Sequence, residues 1–214
     1  MNDWESGGRA TNVVKGLVGG NIAVFLLWVL PIVPPEFMAT HFLVSWDYLI
    51  AGRFWVLLTA VFSHHLFLHL LINMIVLLGF GPPLERIMGS LGFLAFYLAA
   101  GVVGSFAHAA VSFALIGSPS LPALGASSAI AGLLLLFALV FPTAKILLFF
   151  VIPMPAIVAA LAFIGIDIWG LMAQMEGGGL PIGHGAHLGG SFTGLVCFVV
   201  WGRALRAKGR RLRI

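Results

Sequence analysis

An all-α, polytopic membrane bundle of six spans is the fold class this sequence predicts, and three observations predict it. The chain is 61% hydrophobic. Only 8% of its 214 residues are charged, against roughly 25% in an average soluble domain. Its apolar runs recur between glycine and proline breakers at lengths that suit a bilayer. Burying a core cannot consume so much apolar surface in a chain of this size, so lipid is the main solvent. One membrane domain fills residues 1–214, with a short N-terminal segment at 1–13 and a basic tail at 203–214.

Met1–Lys15 carries Asp3 and Glu5 and resembles neither a signal nor a transit peptide. The first apolar run, residues 14–34, is long enough to cross and closes at Pro34-Pro35. Residues 35–63 mix apolar side chains with Trp46, Asp47, Tyr48, Arg53 and Trp55, a composition that suits the headgroup interface. The second span, 66–82, ends at Gly81-Pro82-Pro83, and the third, 91–115, at Gly117-Ser118-Pro119. The fourth, 126–142, stops at Phe141-Pro142. The fifth covers 146–170, although Pro153 and Pro155 interrupt it. A glycine-rich stretch, Gly177–Gly185, then leads into the sixth span at 187–202. The lone Cys197 sits within an apolar run, reads as a buried inert thiol and excludes an internal disulfide.

Six spans put both termini on one side. The tail holds Arg203, Arg206, Lys208, Arg210, Arg211 and Arg213, which the positive-inside rule assigns to the cytoplasm. Arg9, Lys15, Arg86 and Lys145 then lie inside as well, leaving Arg53 as the one cation outside. The tail rests on anionic headgroups in this reading. Spans two, four and six all run inward, and His69, Ser127 and His187 each stand near the start of one. All three therefore gather at the outer edge. Spans four and six, at 17 and 16 residues, reach only about 25 Å, short of the roughly 30 Å hydrocarbon core. If their inner ends sit at the interface, their outer ends lie below the surface, where non-helical backbone must line a water-filled cavity or be buried in protein.

Serine is a poor nucleophile until a base takes its proton. On its own, Ser127 would be a helix N-cap; beside His187 it becomes a candidate for acyl transfer. His69 and Asn73 are four residues apart, on one helix face, and both can donate hydrogen bonds. Gly190 and Gly194 form a small-residue stripe on span six, and Ser128 and Gly132 form one on span four. Facing each other, these stripes would set the distance from Ser127 to His187.

Four motifs in order resemble the rhomboid family of intramembrane serine proteases, over nearly the whole chain. They are His69-Leu70-Leu71-Ile72-Asn73, then Gly81 and Glu85 with Gly89-Ser90, then Gly125-Ala126-Ser127-Ser128, then Ala186-His187-Leu188-Gly189-Gly190 with Gly194. The resemblance implies a rhomboid-like six-helix bundle in which Ser127 is the nucleophile and His187 its base and later acid. It makes His69, Asn73 and the Ser127 amide the oxyanion donors, with Gly125, Ser128, Gly132, Gly190 and Gly194 as the packing residues around them. Transmembrane protein substrates and membrane lipids are the implied partners, with no nucleic acid, no cofactor and no metal. The lack of extra domains looks like a compact prokaryotic form in a cell membrane, the inner one in a Gram-negative cell. Its termini are then cytoplasmic and its site faces outward.

Two departures stand out. The family glycine after the nucleophile is Ser128, and the usual Trp-Arg pair of the first loop is Trp55-Val56, with Arg53 displaced. A catalytically impaired, client-binding form is the alternative function. His65 and His69 have metal-ligand spacing, with His64 adjacent, but Leu66 stands where a zincin needs Glu. His41, His108 and His184 read as interfacial or packing histidines. Asp167, an acid within span five, either orients a histidine or supports helix packing, and packing is favoured.

Overall fold

The computed structural model describes residues 12–148 and 151–212, so the N-terminal segment lies mostly outside it. Among the described residues, five helices are long and apolar enough to cross a membrane, and a shorter apolar one joins them. They are α1 (Asn12–Val29), α5 (Phe67–Met88), α6 (Ser90–Ala114), α8 (Ala156–Met175) and α9 (His184–Arg211), with α7 (Ser127–Val140) as the short one. Between α1 and α5 the chain folds into α2 (Pro35–Phe42), α3 (Trp46–Ile50), α4 (Val56–Thr59) and a 3-10 turn at Ala60–Phe62.

Helix α7 is apolar all round, and such helices belong at a centre. Eleven of its 14 residues are buried, and it packs against α5, α6, α8 and α9. At 1.5 Å per residue it is only about 21 Å long, short of the roughly 30 Å hydrocarbon core that the longer helices can cross. The outer helices turn apolar side chains outward instead: Leu91, Trp169 and Val199 are 80%, 69% and 75% exposed. Lipid accounts for that belt; water would not.

Glu85 ties the first helix to the second span. Its carboxylate is fully buried and accepts from the Val13 and Val14 amides at 3.3 and 3.1 Å and from Ser90 Oγ at 2.8 Å. Those amides belong to the first turn of α1, which has no partners of its own. At the same end of the bundle, Arg206 donates to the Leu139 carbonyl at 2.7 and 3.2 Å, covering an orphan acceptor in the last turn of α7.

Three sequence expectations shift. The second span does not stop at Pro82-Pro83; α5 carries both prolines and runs on to Met88. Interior proline costs about 3 kcal/mol, but Leu84, Glu85 and Ile87 are each fully buried and pull the last turn into the core. The fifth span does not begin at 146. Residues Lys145–Leu148 (β1) and Ile152–Pro155 (β2) pair as an antiparallel hairpin, with Pro153 opposite Leu147 and Pro155 opposite Lys145. Prolines lack the amide a helix needs, and α8 starts only once Pro155 is passed. The sixth span starts at His184 rather than 187 and continues to Arg211, so most of the basic tail is helix.

Candidate active site

Helix α7 begins at Ser127 because Gly125, just before it, bends the chain. Gly125 has φ +123°, a backbone region side chains avoid, and a Cβ there would come within 2.7 Å of the His69 ring. Its amide donates to the Ala60 carbonyl at 2.9 Å, anchoring the turn on the first loop. Ser127 is partly exposed, while Ser128 is buried and turns its hydroxyl toward the Gly101 carbonyl on α6, 3.4 Å away. The hydroxyl that replaces the family glycine is therefore directed at a neighbouring helix.

Helix α9 brings His187. Ser127 Oγ lies 2.9 Å from His187 Nε2 across 60 residues of sequence. The helices can meet this closely because their backbones touch. A Cβ on Gly190 would run into the Ser128 carbonyl, and one on Gly194 into the Gly132 carbonyl. A Cβ on Gly132 would lie 2.6 Å from the Gly190 oxygen. Gly104 on α6 belongs to the same contact, since its Cβ would strike Ser128 and come within 2.6 Å of the Ala186 oxygen.

Helix α8 holds the other side of His187. Phe163 stacks on the imidazole, with ring centroids 5.3 Å apart at 29°. Asp167 Oδ1 is 2.9 Å from His187 Nδ1 and 2.8 Å from His184 Nδ1. The structure thus puts Asp167 and His184 beside the Ser–His pair, where the sequence suggested packing roles for both. Asp167, His184 and His187 also have donor atoms within 4.8 Å of one another, close enough to hold a metal ion. The nitrogen–oxygen separations are hydrogen-bond distances, and hydrogen bonds to one carboxylate oxygen account for the cluster.

His69, Asn73, Ser127 and His187 line one cavity of about 1240 Å³. Asn73 is buried, and its Nδ2 lies 2.8 Å from Nε2 of the fully buried His64. The Ala126 amide approaches the same nitrogen at 3.5 Å. With one N–H given to His64, the Asn73 amide keeps a second for the cavity. Burial, then the neighbouring His69, hold the His64 ring's pKa down to about 4, so it is neutral and can accept. His64 entered the sequence reading only as a neighbour of the His65/His69 pair. His65 instead packs edge-on against Trp28, with centroids 5.5 Å apart. The first loop is anchored without the usual Trp-Arg pair: Trp55 Nε1 donates to His41 Nδ1 at 3.1 Å, and Arg53 lies over the Tyr48 ring.

Fold and site together define a polytopic membrane protein with a hydrogen-bonded serine–histidine pair inside a cavity between its helices. The pattern of the Rhomboid domain matches residues 51–204, and the chain belongs to the rhomboid family. It is 34% identical over 219 residues to RHOMBOID-like protein 12, mitochondrial, of Arabidopsis thaliana, covering 97% of this chain and 62% of that one. To Rhomboid protein 1, mitochondrial, of Saccharomyces cerevisiae it is 36% identical over 190 residues, covering 86% and 52%. To the human Presenilin-associated rhomboid-like protein, mitochondrial, it is 29% identical over 216 residues, covering 97% and 52%. The chain spans between about half and two thirds of the length of these relatives. They also correct two expectations. The expected prokaryotic type, and the expected cell membrane with cytoplasmic ends, are not supported: these relatives are all named as mitochondrial proteins. The multi-pass membrane reading stands.

Proposed function

We propose that the chain is an intramembrane serine endopeptidase that cuts membrane-anchored proteins in or near their transmembrane segments, within a mitochondrial membrane. The observation that carries this is the 2.9 Å contact between Ser127 Oγ and His187 Nε2 inside a cavity at the start of α7. Residues 1–214 act as one membrane domain. Ser127 attacks the scissile carbonyl as His187 takes its proton, and His187 returns that proton to the leaving amine. The negative oxygen of the tetrahedral intermediate is met by the Ser127 amide at the start of α7 and by His69 and Asn73 on α5. Gly125, Ser128, Gly132, Gly190 and Gly194 set the spacing. The chemistry needs no cofactor.

The test is cleavage of a single-span reporter by purified protein in lipid vesicles, comparing wild type with Ser127→Ala and His187→Ala. Cutting that is lost in both folded variants supports the pair. A Ser127→Ala protein that cuts at the wild-type rate sinks the assignment. Binding of the reporter without cutting by any of the three favours a client-binding role instead.

A further inference from the structure

Asp167 is 2% exposed in a helix that crosses the membrane, a costly place for a carboxylate. An ionised carboxylate offers only lone pairs, so the two nitrogens facing Oδ1, on His184 and His187, are the ones that carry hydrogen. In the neutral imidazole that leaves Nε2 as the bare nitrogen, and Nε2 is the atom 2.9 Å from Ser127 Oγ. The ring form able to accept the serine proton is the one the carboxylate selects. We propose that Asp167 is the positioning acid of a Ser127–His187–Asp167 triad, and that His184 locks it in place. This rests on the reading of Ser127 and His187 as the reacting pair.

Packing supports a built arrangement. His184 and His187 are three residues apart on the first turn of α9, so both rings can reach one oxygen on α8. The His184 ring lies against Gly170, where any Cβ would collide with it. Gly170 stands one turn beyond Asp167, and Phe163 one turn before it. One stripe of α8 therefore stacks on His187, accepts its Nδ1–H and makes room for the second donor. In the reaction the proton leaves Ser127 Oγ for Nε2, and the resulting imidazolium is stabilised by the carboxylate it already touches. The proton then goes to the leaving amine, and Asp167 keeps none. Asn at 167 would offer an amide donor to Nδ1, favour the Nε2–H form and remove the base.

The experiment uses wild type, Asp167→Asn and Asp167→Glu in lipid, with three readouts. These are kcat and KM, the labelling rate of Ser127 by a fluorophosphonate, and the His187 tautomer from nitrogen NMR of histidine-labelled protein. Asp167→Asn should leave KM within about twofold and cut kcat about 10⁴-fold, the loss such acids control elsewhere. Labelling should slow in parallel, with hydrogen moving from Nδ1 to Nε2, and Asp167→Glu should recover part of the rate. Unchanged kcat and labelling per folded molecule in Asp167→Asn would overturn the triad. So would a wild-type His187 protonated on Nε2, a result that stands even if Asp167→Asn does not fold. A wild type that neither cleaves nor labels sinks the parent reading and this one together; an active wild type that tolerates Asn sinks this one alone.

Discussion

Gly190→Ala isolates the contact that sets the Ser127–His187 distance. Gly190 meets the Ser128 carbonyl with its Cα, and an added methyl would collide with that backbone oxygen, which has no rotamer to escape into. Non-bonded carbon settles no closer than about 3.5 Å, so α9 must back away from α7 by more than about 1 Å. His187 is less than one turn from Gly190, and Ser127 is next to Ser128. A hydrogen bond of 2.9 Å is then stretched toward about 3.5 Å, where it is lost. A misplacement of that size costs about 10²-fold in rate, and overpacking a tight contact costs about 1–3 kcal/mol of stability. Gly165→Ala is the control, since a Cβ there meets nothing within 4 Å. It should stay within about 1 kcal/mol of wild type, the range of the Gly–Ala helix preference, and keep full activity. The assay is reporter cleavage in vesicles, paired with thermal unfolding in detergent. A Gly190→Ala protein as active and stable as wild type would refute the backbone-contact argument, as would equal damage from Gly165→Ala.

Three other outcomes follow from the same structure. Glu85→Ala strands the first-turn amides of α1 and should lower stability by about 1–3 kcal/mol while leaving kcat per folded molecule intact; a kcat defect without a stability loss would contradict this. Asn73→Ala should reduce kcat about 10²–10³-fold with little change in KM, and a pure KM effect in the cleavage assay would remove Asn73 from the oxyanion site. Burial holds His64 down to about 4 from the usual 6.5, so between those values the unfolded chain binds a proton the native chain refuses. Its contribution to stability is whole above pH 6.5 and falls as pH drops toward 4. Unfolding followed at pH 7.5 and at pH 5 should show a larger acid loss in wild type than in His64→Gln, and equal losses would exclude His64 as a source.

Topology made the Ser127–His187 pair legible, because spans four and six run in the same direction and each carries its residue near its start, whatever lies between them. The small residues at 128, 132, 190 and 194 declared themselves for the same reason: spacing of four on a helix is a face. The missed features are those in which local chemistry and tertiary burial disagree. Pro82-Pro83 reads as a stop, yet Glu85, Leu84 and Ile87 gain enough in the core to carry α5 past it. Pro153 and Pro155 sit in an apolar run, and only strand pairing accommodates them. His64 stands outside the helix that bears Asn73, nine residues away, so no periodicity links the two.

Asp167 and His184 mark the sharper limit. Each alone is a polar residue in an apolar or glycine-rich context, and each alone is most economically a packing group. The signal that joins them is a stripe: Phe163, Asp167 and Gly170 occupy positions i, i+4 and i+7 of α8, a single helix face. An aromatic ring, an acid and a glycine on one face match a His-x-x-His turn on α9 piece by piece, with a ring to stack, a carboxylate to share and a gap to fill. A buried charge on such a face has to be compensated from across the interface, because its own helix offers no donor. The partner is then a second helix presenting N–H groups at the same depth, and His184–His187 is the turn of α9 that does so. Read as paired faces, the sequence does point from Asp167 to His187; read residue by residue, it does not.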